Sequence, residues 1–292
     1  METFFQQMIN GLSLGSIYAL IALGYTMVYG IIKLINFAHG DIYMVGAFIG
    51  YTMIHSFGMG FFPALLTAMA LSALLGVLIE RIAYKPLRHA TRIAVLITAI
   101  GVSYLLQNGM LYFYGAEVRS FPQVVDNTLF EVAGLQVSRI QLLIFATTLV
   151  LMVLLQFIVQ KTKMGKAMRA VSTDSSAAQL MGINVDNVIS FTFFLGSALA
   201  GAAGVLVGLY YNTIDPMMGV APGLKAFVAA VLGGIGFIPG AVLGGFTIGI
   251  VETLVSAYGN SMIRDAVVYG ILILILIIRP AGILGKHVKE KV

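Results

Sequence analysis

Ile9-Asn10-Gly11-Leu12-Ser13-Leu14-Gly15-Ser16-Ile17-Tyr18-Ala19-Leu20-Ile21-Ala22-Leu23-Gly24-Tyr25-Thr26-Met27-Val28-Tyr29-Gly30-Ile31-Ile32 carries no charged side chain along its whole length. As a helix it exceeds the ~20 residues that the hydrocarbon core of a bilayer requires. It is too long for the apolar part of a cleavable leader, and no Lys or Arg precedes it, so it reads as a first membrane span. Gly11, Gly15, Ser16, Ala19 and Ala22 keep the helix thin enough for another to approach closely. The rest of the chain resembles this stretch. With 59% of its 292 residues hydrophobic and 10% charged, the chain cannot furnish the polar shell of a soluble domain.

Further apolar runs cover Ile42–Ile54, Pro63–Ile79, Ile93–Tyr114, Ile140–Val159, Val188–Tyr210 and Ala266–Ile278. Another begins at Gly223, is interrupted by Gly233-Gly234-Ile235-Gly236-Phe237-Ile238-Pro239-Gly240, and resumes to Tyr258. Its first part is short for a full span and rich in glycine, so it reads as a broken or re-entrant segment. The expectation is an all-α polytopic transmembrane helix bundle of about eight spans, or nine if that segment crosses, in one domain over 1–292. Arg81, Lys85, Arg88 and Arg92, then Lys161, Lys163, Lys166 and Arg169, and the tail Lys286–Lys291 are basic clusters beside spans. Such clusters stay cytoplasmic, which places the C-terminus inside and the N-terminus outside. The slightly acidic Gly115–Ser138 segment is then external.

Catalysis finds no support. Cysteine is absent, which removes disulfides, thiolate metal sites and cysteine nucleophiles. His39, His55, His89 and His287 are dispersed without metal-ligand spacing, and no Gly-x-Ser-x-Gly elbow occurs. Gly219 to Lys225 has three residues between its glycines where a phosphate-binding loop has four. No enzymatic activity, metal or bound cofactor is expected, and uphill movement would draw on an ion gradient or another subunit. The net charge of +5 sits beside spans and gives no reason to expect nucleic acid.

Polar interruptions supply the candidate translocation path or gate: Asn36, His39, Asp41, Gly233, Gly234, Gly236 and Glu252. The Asn36–Asp41 break reads either as a turn or as a helix break beside a path, where irregular backbone is tolerated. Glu80 and Asp41 lie near span ends, within reach of water. Glu252 is the one acid well inside a run, readable as an ion relay or as a structural glutamate bonded between helices. The pairs Gly236/Gly240, Gly240/Gly244 and Gly245/Gly249 permit close packing. Leu14-Gly15-Ser16 and Leu195-Gly196-Ser197 hint at an internal repeat.

One mixed polar island, 161–187, stands apart. Met164, Ala167, Met168 and Val171 share one face of a short helix, with Lys166 and Arg169 elsewhere. A second short helix follows, with Thr173 or Asp174 as its cap, capping-box spacing at Ser176 and Gln179, and Gly182 as a left-handed stop. Asn184 is placed to cap the next span. A basic helix lying on anionic lipid is the alternative to a docking surface. Ser175 to Met181 carries no charge, which favours a protein partner.

Ala177-Ala178-Gln179-Leu180-Met181-Gly182-Ile183-Asn184 resembles the EAA-type cytoplasmic loop of ABC importer permeases, with Ser176 where that pattern has an acid. Three more stretches narrow the resemblance: Ile35 to Met44, Glu80 to Arg88, and Ala229 to Gly240. Together they are similar to the branched-chain amino acid ABC transporter permease family, H-type (LivH) subunit, over nearly the whole chain. The resemblance implies a second related permease, two cytoplasmic ATPase subunits that use the ATP, and an extracytoplasmic binding protein delivering leucine, isoleucine or valine. It also implies that Ser175, Ser176, Ala177, Ala178, Gln179, Leu180, Met181, Gly182, Ile183 and Asn184 form the helix that couples to an ATPase. Related permeases for other small amino acids, amides or urea share much of the pattern. An ion-coupled carrier working alone, with Glu252 as its ion site, and a channel are the rival classes.

Overall fold

Capping chemistry and glycine placement set the helix ends in the computed structural model, which describes residues 2–88, 90–132 and 134–285. In chain order the helices are α1 (Glu2–Ile32), α2 (His39–His55), α3 (Phe61–Ile79), α4 (Arg92–Tyr114), α5 (Arg139–Lys161), α6 (Lys163–Thr173), α7 (Ser175–Leu180), α8 (Val185–Tyr211), α9 (Val220–Gly233), α10 (Ile238–Tyr258) and α11 (Arg264–Ile278). A π-helical turn (Glu80–Tyr84) and a 3-10 turn (Lys85–Leu87) prolong α3. Four short strands make two antiparallel ribbons, β1 (Arg119–Ser120) with β4 (Thr213–Ile214), and β2 (Leu129–Val132) with β3 (Leu135–Ser138).

Contacts at the two ends of the bundle trace the path of the chain. At one end the β1–β4 ribbon joins 119–120 to 213–214, and Gln6 exchanges hydrogen bonds of 2.8 and 2.9 Å with the Gln136 backbone. At the other end Gly30, Ser172 and Gly236 line one small cavity, and Gly234 packs on Gly285. The described chain therefore starts at the ribbon end and finishes at the opposite one. Among the described residues seven helical segments are long and apolar enough to cross a membrane. With the shorter α2 (17 residues) and α9 (14 residues), nine helical passes connect the two ends of the bundle among the described residues. The glycine-rich segment is a traverse, made of a short helix and the turn that joins α9 to α10.

α1–α4 and α8–α11 form an inverted repeat. Among the described residues Lys33 and Asn212 are the two non-glycine residues with left-handed backbone, each at φ 55°, and each directly follows the first helix of its half. Both chains then turn back into the bundle before the short helix begins. α1 runs antiparallel to α10, Gly11 facing Ile250 and Gly15 facing Phe246. α8 packs correspondingly on α3, Gly201 against Ser72. Equivalent helices of the two halves also meet each other, Gly24 of α1 touching Gly196 of α8 and Gly40 of α2 touching Gly223 of α9. The tripeptides Leu14–Ser16 and Leu195–Ser197 thus sit on paired helices, in the arrangement seen in many transporter folds.

The core follows this pairing. α1 and α8 are buried along most of their length, whereas α4, α5 and α11 leave broad apolar faces outward. Two expectations are corrected. Ser176 and Gln179 form no capping box, because Asp174 takes the cap position and its carboxylate accepts the Ala177 N–H at 2.9 Å. Glu80 and Asp41 are not at exposed span ends: Glu80 is fully enclosed and Asp41 is 2% exposed. The 33–38 segment folds back so that α2 begins in the interior, and the turns after α3 cover Glu80. The tail Lys286–Lys291, His287 and His89 lie outside the described residues.

Candidate functional site

The 161–187 island is built from local rules. Thr162 caps α6 by accepting the Gly165 N–H at 3.0 Å, and Gly165 lies against the Ile158–Val159 backbone of α5. Met168 and Val171 are buried with Met164 and Ala167 packed beside them, the face expected from their spacing. Arg169 donates to the Val159 carbonyl, tying α6 to the end of α5. α7 buries Ala178 and stops at Gly182, whose φ is +83°. The Gly182 N–H bonds the Gln179 carbonyl and the Ile183 N–H bonds the Ala178 carbonyl, both at 3.0 Å, which is a Schellman stop. Asn184 then caps α8, accepting the Asn187 N–H at 3.1 Å.

The outward side of this capped helix is unusual in composition. Leu180 and Met181 are 89% and 83% exposed at its tip, and Ser175, Ser176, Ala177 and Gln179 are exposed beside them. A cleft of about 770 Å³ separates α7 from the ends of α1 and α8, with Leu34, Arg88, Gln179 and Asp186 on its walls. Behind it Arg88 bridges Glu80 and Asp186, Lys85 pairs with Asp186 at 2.7 Å, and Ser190 donates to Glu80 at 2.6 Å. This network fastens the end of α3 to the start of α8, so α7 projects from a braced corner.

The path candidates separate into three places. Asn36, His39 and Asp41 come together where α2 begins. Asn36 Oδ1 accepts the Tyr84 hydroxyl at 2.7 Å and the Ala38 N–H at 3.1 Å. His39 sits edge-on to Tyr25 with ring centroids 4.8 Å apart, pressed on Gly24. Asp41 accepts from Gln107 of α4 at 2.9 Å and lines a cleft of about 440 Å³ between α2, α4 and α9.

Glu252 lies in a separate ionic cluster. Lys225 of α9 is 2.7 Å from its Oε1, Tyr18 of α1 donates to Oε2 at 2.8 Å, and Asp265 of α11 is 2.8 Å from Lys225. Of its two readings, the cluster matches the glutamate bonded between helices. Gly233, Gly234 and Gly236 are apart from both groups, in the turn that joins α9 to α10 near Gly30 and Gly285.

Sequence reasoning passed over Lys225, Tyr18 and the bond from Gln107 to Asp41. The available signal was a lone lysine inside the apolar 223–233 run, 27 residues before the one intraspan glutamate. A charge placed there needs a partner.

Residues 7–276 match the family described as Branched-chain amino acid transport system / permease component. The chain is 43% identical to the high-affinity branched-chain amino acid transport system permease protein BraD of Pseudomonas aeruginosa, covering 99% of this chain and 98% of that protein. It is 43% identical to the permease protein LivH of the corresponding Escherichia coli system, with the same shares covered. The permease protein LivM of Escherichia coli is 25% identical over 93% of this chain and 68% of its own length. This multi-pass membrane protein, with its nine-traverse bundle and its capped projecting loop, is a member of the branched-chain amino acid transport permease family.

Proposed function

We propose that the chain forms one half of the translocation path of an ATP-driven importer for leucine, isoleucine and valine. The observation that carries the reading is α7: a helix capped at both ends, braced from behind, that offers Leu180 and Met181 to solvent with no charge along its length. Two large apolar side chains held in water on a rigid element fit a groove in another protein. The basic residues Lys85, Arg88, Lys161, Lys163, Lys166 and Arg169 stand at the same end, which makes that end cytoplasmic and the ribbon end, with Gln6, extracytoplasmic. The partners are then two cytoplasmic ATPases, one on the α7 of each permease, and a binding protein at the ribbon end. A second related permease covers part of the outward apolar faces, and lipid covers the rest. Closure of the ATPases moves α7 and rocks the halves as rigid bodies between two states.

A carrier driven by an ion gradient would use Glu252, and the Lys225 pair that neutralises it weighs against that alternative. The test is leucine uptake by proteoliposomes holding this chain with its permease partner, ATPases and binding protein. In a Leu180→Asp/Met181→Asp variant, uptake falls at least tenfold. Thermal unfolding of the purified variant stays within about 0.5 kcal/mol of wild type, because both side chains touch little of their own chain. Gly182→Asp also loses uptake, because it puts a negative charge at the C-terminal end of the uncharged α7, at a left-handed position. Leucine moving with this chain alone under a proton or sodium gradient would sink the importer reading.

A further inference from the structure

Asp41, Glu80 and Glu252 are the buried carboxylates among the described residues. Arg88 neutralises Glu80 and Lys225 neutralises Glu252. Asp41 has no such partner: among the described residues no ion pair reaches it, and the groups bonded to its carboxylate are neutral, the Gln107 amide at 2.9 Å and the Ser103 hydroxyl. A buried carboxylate is retained where a cation or several donors compensate for its lost hydration. Asp41 forms part of the wall of the cleft between α2, α4 and α9, whose volume of about 440 Å³ is that of a small-molecule site. Phe37, Ile100 and Leu224 give the same cleft apolar wall, beside the polar Ser103 and Gln107. The cleft adjoins the contact of Gly40 with Gly223, at the centre of the inverted repeat, where transporter folds place their substrate.

We infer that Asp41 receives the ammonium group of the transported amino acid, with the aliphatic side chain against Phe37, Ile100 and Leu224 and Gln107 holding the carboxylate in place. This rests on the importer reading and names the atoms that would hold its substrate. A branched-chain amino acid suits such a cleft because its zwitterionic end offers an ammonium group and its other end is a compact hydrocarbon.

Two measurements test it on the complete transporter. In proteoliposomes, Asp41→Asn lowers leucine uptake at least tenfold while ATP hydrolysis stays within twofold of wild type, and Asp41→Glu regains part of the uptake. By saturation-transfer NMR, 3-methylbutylamine, which keeps the ammonium, binds the wild-type complex without binding protein. 4-Methylpentanoate, which keeps the same hydrocarbon and carries a carboxylate in place of the ammonium, does not. The NMR comparison uses wild type and is independent of how the variants fold. Uptake by Asp41→Asn at the wild-type rate, or the acid binding as well as the amine, overturns the inference and leaves the importer reading standing. Wild-type vesicles that take up no leucine overturn the importer reading and this inference with it.

Discussion

Lys225→Met destabilises the purified protein by about 3–5 kcal/mol, the cost of leaving a buried charge without its partner. The lysine and Glu252 are 3% exposed each and 2.7 Å apart, so removing one leaves the charge of the other largely buried. The two single variants are not equivalent. After Lys225→Met, Glu252 keeps the Tyr18 hydroxyl and an Arg264 that is 3.7 Å away and half exposed, neither of which replaces an enclosed ammonium. After Glu252→Gln, Lys225 still has Asp265 at 2.8 Å, and the new amide can accept from it, so the loss is smaller, about 1–3 kcal/mol. The double variant Lys225→Met/Glu252→Gln is more stable than Lys225→Met alone, because no unpaired charge remains. Thermal unfolding of all three in one detergent measures the order. A Lys225→Met loss below that of Glu252→Gln would show that the pair does not hold α9 to α10.

Gly249→Ala costs at least about 3 kcal/mol and lowers the yield of folded protein, at or beyond the upper end of ordinary overpacking, ~1–3 kcal/mol. A Cβ at this position would stand 2.3 Å from both Cα and N of Gly15 and 2.6 Å from the Gly11 carbonyl. These are backbone atoms of α1, which cannot rotate away as a side chain does. Accommodating one methyl group would require α1 and α10 to separate along their length, and this is the most extensive helix contact among the described residues. Gly101→Ala in α4 is the matched control, since nothing lies within 4 Å of its Cβ position. There the alanine gains helix propensity, up to about 1 kcal/mol. Equal behaviour of the two variants in thermal unfolding and monodisperse yield would mean that α1 and α10 are not in backbone contact.

The two predictions touch features that were unequally legible. Each apolar run forms a helix, and the ends at Asp174, Gly182 and Asn184 fall where cap and stop chemistry puts them. These are local properties, set by hydrophobicity, span length and the hydrogen bonds of a few adjacent residues. The candidate docking helix was legible for the same reason: Ser175 to Asn184 are contiguous, so their exposure follows from the pattern of one short helix. Gly245 and Gly249 were also visible as a close-packing pair, although the sequence could not say that Gly15 and Ala19 of α1 are what they meet.

The interior was not legible in that way. Asp41 sits at the start of a helix, and in the linear chain a helix start next to a polar turn reads as a surface position. It becomes interior because the 33–38 segment folds back and sets His39 against Gly24 of α1 and Gly40 against Gly223 of α9. Lys225 stands 27 residues from Glu252 and 207 from Tyr18, and neither separation corresponds to a helical or strand period. Hydrophobic pattern and capping thus carry the class of fold, the helices and the projecting loop, because each depends on neighbours in sequence. Tertiary structure alone decides which buried charges are paired and which is left facing a cleft, because charge pairing depends on helices brought together by packing from opposite ends of the chain.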